Sequence, residues 1–141
     1  MPKFLDSKMG LRALALLAVA FGALTLQEGG GVLFGPGATR AAAGDYVPFV
    51  LWSNFLMGFA YVAAGLGLWL RQSWGVRLAA LILAITLATF VAFAIHIALG
   101  GAHETRTLVA MSLRTLVWGV ILLAARRLMR TLSGRSASCG S

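Results

Sequence analysis

Acidic residues are scarce in this chain: four Asp and Glu stand among 141 residues, against twelve Lys and Arg. Asp6, Glu28, Asp45 and Glu104 all fall outside the long hydrophobic runs. No carboxylate pair is therefore available inside a span for acid–base chemistry. Cysteine is scarcer still. Cys139 stands alone near the end of the chain, which excludes an internal disulfide and every Cys-based zinc or redox motif. No nucleophilic triad, phosphate loop or dinucleotide motif occurs either, so catalysis by the chain's own side chains is not expected. Charged residues of both signs make up only 11% of the sequence, too few for the surface of a soluble globular domain.

What is present is apolar sequence, 60% of the chain. It is arranged in four runs long enough to cross a bilayer, and these predict helices over about 9–27, 47–70, 76–99 and 106–127. The uncharged part of the first, 13–27, is short for a bilayer of about 30 Å, and Arg12 extends it by snorkelling to the headgroups. Gly29-Gly30-Gly31 is expected to end that helix, and Gly100 the third. The connection 28–45 carries the turn signal Gly35-Pro36-Gly37 and is expected to lie on the outer membrane surface; a flap over the bundle mouth is the alternative. The tail 128–141 shows no apolar pattern and is expected to be disordered. Antiparallel helices joined by short links predict an all-α, integral membrane four-helix bundle, one domain over 1–141.

The net charge of +8 is not a nucleic-acid signature. Lys3, Lys8, Arg12, Arg71, Arg77, Arg126, Arg127, Arg130 and Arg135 fall in the amino terminus, the middle loop and the carboxyl terminus. The acids Glu28, Asp45 and Glu104 fall in the other two loops, offset by Arg40 and Arg106. That alternation places both termini in the cytoplasm of a bacterial-type inner membrane. The basic tail then contacts anionic lipid. The amino-terminal run resembles a signal peptide, with Ala41-Ala42-Ala43 as a cleavage-like triplet, but the run ends too far upstream for normal cleavage. A retained first helix is expected.

One residue breaks the apolar pattern. Arg114 lies about 3 Å from the midpoint of the fourth run at the helical rise per residue. A guanidinium there costs at least about 2.5–3.5 kcal/mol, and it does not deprotonate. Tyr61 and Asn54 on the second helix and Thr89 on the third are expected near its level, with Trp118 one turn on to stack against it. Either these neutral groups satisfy the guanidinium, or it holds a quinone carbonyl, a lipid or haem carboxylate, or an acidic residue of a partner subunit. Asn54, Gly58, Tyr61 and Gly65 share one face of the second helix, a small-residue packing surface. Thr86, Thr89, Phe93 and His96 form the polar stripe of the third. His96 is expected to hydrogen-bond near the outer interface; pairing with Met111 as haem or copper ligands is the alternative. Glu28, His103, Glu104 and Arg106 gather at the outer face.

Gly10-Leu11-Arg12, Gly22, the glycine-rich exit near Gly29 to Phe34, and the stretch Gly58 to Ala80 together resemble the DoxX-like family of small four-helix membrane proteins. The resemblance covers about 100 residues in layout. It implies a membrane subunit or helper of a quinone-linked oxidoreductase. Three functions are thus open. One is a non-catalytic small subunit or accessory factor of a larger redox or respiratory complex, partnered by other membrane subunits or by its own copies. Another is a small-molecule or lipid-binding or transport protein with a pocket at Asn54, Tyr61, Thr89, His96 and Arg114. The last is a haem- or copper-binding electron carrier using His96. The topology has a direct check: a membrane-impermeant thiol reagent is expected to label Cys139 only from the cytoplasmic side, and labelling from the other side contradicts the assigned orientation.

Overall fold

The computed structural model describes the backbone of residues 3–42 and 44–139, and the side chains of the same residues from 8 onward. Ala43 of the cleavage-like triplet and tail residues 140–141 lie outside the described residues. Five helices follow one another: α1 (Lys3–Phe34), α2 (Gly37–Ala42), α3 (Pro48–Trp69), α4 (Ser73–Ala98) and α5 (Thr105–Ser138). All but α2 are long and apolar enough to cross a membrane. The four long helices form a ring in chain order, with α1 on α3, α3 on α4, α4 on α5, and α5 back on α1.

The most extensive of these contacts, between α1 and α3, is a glycine seam. A Cβ on Gly22 would meet the Gly58 carbonyl oxygen at 2.9 Å, and one on Gly65 would meet the Ala15 carbonyl oxygen at the same distance. In lipid there is little hydrophobic drive between helices, so close backbone approach at small residues supplies the packing energy. The seam also explains a departure from expectation. Gly29-Gly30-Gly31 does not end α1, because Gly29 packs on Phe55, whose Cβ would lie 3.2 Å from an added methyl group. Tertiary contact overrides the poor helix propensity of glycine. The helix stops instead at Gly35-Pro36, where Arg40 of α2 donates to the exposed carbonyls of Val32 (3.3 Å) and Leu33 (3.1 Å).

The carboxyl-terminal tail is the second departure. Helix α5 runs on to Ser138 rather than stopping near 127. Ala125, Leu128, Met129 and Leu132 follow helical spacing, and they pack on the same core cluster as Leu11, Ala15 and Leu68. That stripe is the pattern the tail appeared to lack. Gly100 does end α4 as expected, with φ +82° and the Gly101 N–H donating to the His96 carbonyl at 2.9 Å. At the basic end, the Arg12 guanidinium lies 5.4 Å from the centre of the Trp69 ring, which holds it at the belt level that snorkelling requires.

Two apolar clusters fill the ring. The larger holds Leu11, Ala18, Tyr61, Ile82, Trp118 and Ile121; the smaller, toward the Glu104 end, holds Val47, Val50, Phe93 and Met111. Thr86 and Arg114 are buried yet belong to neither. Overpacking the seam is expected to cost about 1–3 kcal/mol. Gly65→Ala should therefore lower the melting temperature in detergent, while Gly119→Ala, with nothing within 4 Å of the added carbon, should leave it unchanged or raise it.

Candidate functional site

Arg114 lies about 14 Å into α5 at the helical rise per residue. Met111, Arg114, Trp118, Ile121 and Ala125 form the buried face of that helix, so the charge points into the ring and not toward lipid. The residue is 7% exposed. Its guanidinium lies 5.8 Å from the centre of the Phe21 ring on α1, a contact at the limit of cation–π attraction. Trp118, expected to stack there, pairs instead with Tyr61 across the ring of helices, at a centroid distance of 4.8 Å.

The polar contacts of Arg114 are poor. Nη1 donates to the Met111 sulfur at 3.6 Å, and Nε has no partner. Three further polar atoms are buried without a partner: Tyr61 Oη, Thr86 Oγ1 and Trp118 Nε1. The Tyr61 hydroxyl lies beside both Thr86 and Arg114, but meets neither in hydrogen-bonding geometry. Arginine and tryptophan nitrogens only donate. The Tyr61 and Thr86 hydroxyls can also accept, but neither meets a donor in hydrogen-bonding geometry. Among the described residues no carboxylate makes an ion pair with Arg114, although Glu28 and Glu104 line the same cavity.

A cavity of about 480 Å³ reaches Arg114 from the Glu104 end. Thr25, Asn54, Thr107 and Ala110 line its walls, and Glu28, Tyr46, Glu104 and Arg106 stand at its wider part. Placing Glu28 in a loop does not hold, because α1 continues past it and turns it toward this cavity. Residues Thr39 and Ala42 of α2 also line the space. The connection after α2 is tied to the start of α5 by two bonds: the Asp45 N–H donates to Glu104 Oε1 at 2.9 Å, and Arg106 Nη2 donates to the Ala42 carbonyl at 3.0 Å. These contacts hold the connection beside the opening of the cavity.

Of the residues expected at the site, Arg114, Tyr61 and Trp118 come together, and Asn54 shares the cavity. Thr89 and His96 do not join them. The buried face of α4 runs through Gly75, Ala79, Ile82, Thr86 and Phe93, which leaves Thr89 and His96 half-buried on its margin. His96 Nε2 is 3.1 Å from the Ala102 carbonyl oxygen, and the ring stands edge-on to Phe49. His103 contacts the Gly101 carbonyl and Phe93 and is not among the residues lining the cavity. The Met111 sulfur accepts from Arg114 Nη1. Sequence reasoning missed Phe21, Thr25 and Thr86. For Thr86 a signal existed, since it opens the polar stripe of α4, but depth alone favoured Thr89.

Comparison with protein-family models, curated proteins and solved structures finds no match. What the arrangement can do chemically must be read from its own groups: it can donate several hydrogen bonds, one of them charged, to an oxygen acceptor. Removing an unpartnered hydroxyl tests that description. Tyr61→Phe is expected to leave the detergent melting temperature unchanged or to stabilise by up to about 1–3 kcal/mol, the desolvation cost of an orphaned buried group. A clear loss of stability would show that the hydroxyl is already bonded.

Proposed function

We propose that this chain is a non-catalytic, multi-pass membrane protein that binds the electronegative head of a membrane-soluble molecule, a quinone or a lipid, at Arg114. One observation carries the reading: Arg114, more than nine-tenths buried and bonded only to a thioether sulfur, lines a cavity that extends toward the Glu104 end of the bundle. A carbonyl, carboxylate or phosphate oxygen supplies a stronger acceptor than that sulfur. Leu51, Val32 and Ala110 offer apolar wall for the rest of the molecule. The alternation of basic and acidic loops supports an inner-membrane orientation with both termini cytoplasmic, so the cavity opens on the opposite side.

The second reading is the small accessory subunit of a larger, quinone-linked redox complex, to which the DoxX-like resemblance also points. It is favoured by a chain of edge-on aromatic rings, Phe34, Trp52, Phe55 and Phe59, on the exterior of α1 and α3, a surface suited to a neighbouring membrane subunit. The two readings are compatible, since a subunit that holds a quinone serves such a complex.

The test titrates the detergent-purified chain with oleate, dodecyl phosphate and decylubiquinone, read by native mass spectrometry. At least one probe is expected to bind one-to-one. Arg114→Gln should weaken it about ten- to a hundredfold, the loss of one charge-assisted hydrogen bond, without lowering the melting temperature of the ligand-free protein. If none of the three binds, or if Arg114→Gln only destabilises the bundle, the residue is a packing element and the proposal fails. A second polypeptide co-purifying in fixed ratio supports the subunit reading.

A further inference from the structure

The other end of the bundle carries a separate basic groove. It lies between α4 and α5, has a volume of about 940 Å³, and is lined by Arg77, Arg126 and Arg130, by Val76, Ala80 and Met129, and by Ser73 and Ser133. Arg126 and Arg130 are one helical turn apart and so share a face of α5; Arg77 comes from the first turns of α4. All three are exposed, and no hydrogen bond or ion pair engages their guanidinium groups among the described residues. Three positive charges around one space repel each other until an anion enters.

Two more features act in the same direction. Helix α4 begins at this groove, and its N-cap residue, Gln72, makes no side-chain capping bond. The positive end of a long helix dipole is therefore left facing the same region. The groove also has an apolar side. Val76, Ala80 and Met129 are half-buried, and the packing of Met129 onto the core holds this part of α5 against the bundle. Free phosphate needs no apolar wall. A headgroup phosphate with an acyl chain beneath it uses both, at the level where a span meets the membrane surface.

We infer that the groove between α4 and α5 is a binding site for an anionic glycerophospholipid, its phosphate held by Arg77, Arg126 and Arg130 and its acyl chain laid on Val76, Ala80 and Met129. The extension of α5 beyond the span then has a role, since Arg130 and Ser133 stand on it. The site is distinct from the Arg114 cavity in position and in residues.

The experiment adds phosphatidylglycerol, phosphatidylcholine or inorganic phosphate to the full chain in neutral detergent and counts bound lipid by native mass spectrometry. Phosphatidylglycerol is expected to bind at least tenfold more tightly than phosphatidylcholine, and millimolar inorganic phosphate should not displace it. Arg126→Gln/Arg130→Gln should abolish that preference. Arg127→Gln/Arg135→Gln, which removes equal charge from the same end outside the groove, should change affinity less than twofold. Because Arg126 and Arg130 are exposed, their double variant should melt as the parent does without added lipid. Equal weakening by the two pairs would mean diffuse attraction to a basic surface and overturn the proposal. Displacement by inorganic phosphate would overturn the assignment to lipid.

Discussion

A guanidinium held inside an apolar bundle must find acceptors, and the hydroxyls beside Arg114 do not meet it in hydrogen-bonding geometry. The nearest atom it bonds is a thioether sulfur, a weak acceptor. Around it the Tyr61, Thr86 and Trp118 groups are likewise unpartnered. Leaving such groups dry costs several kcal/mol, more than a small bundle loses lightly. The cavity from the Glu104 end reaches Arg114 but not Tyr61, Thr86 or Trp118.

The packing that allows this is local. Glycines at 22, 58 and 65 draw α1 and α3 together, which brings Phe21 within 5.8 Å of the Tyr61 ring. Tyr61 then reaches across to Trp118 and fills the middle of the ring. Below that pair the core is closed and apolar. Above it α1 and α5 carry Thr25, Glu28, Thr107 and Arg114 toward a shared space, and the segment around α2 covers part of it. One end of the bundle carries the cavity, and the other carries the groove lined by Arg77, Arg126 and Arg130.

Much of this was legible from residue order alone. Four apolar runs and short links predict the four long helices, and the 3.6-residue period puts Thr107, Met111, Trp118 and Ile121 on the Arg114 face; all of these are buried except Thr107, which is half-buried. Where periodicity was read without packing it misled. Gly29-Gly30-Gly31 looked like a stop because glycine is a poor helix former, yet it is helical against Phe55. The tail looked patternless because its arginines obscured the stripe Ala125, Leu128, Met129 and Leu132. Thr86 rather than Thr89 lies on the buried face of α4, because spacing reports depth and face only to within a fraction of a turn. The cavity was not legible at all: it arises from three helices and a connection whose relative placement no single run encodes.

The central claim is that position 114 faces an internal, water-reachable space open toward the Glu104 end. Cysteine scanning tests it most directly. In a Cys139→Ser background, Arg114→Cys in intact membranes should react with a small, membrane-impermeant thiol reagent applied from the Glu104 side, and should be protected when the reagent is confined to the side of Arg126 and Arg130. An unreactive thiol, or one labelled only from the basic end, would mean that no open path joins Arg114 to the Glu104 end and would contradict the account.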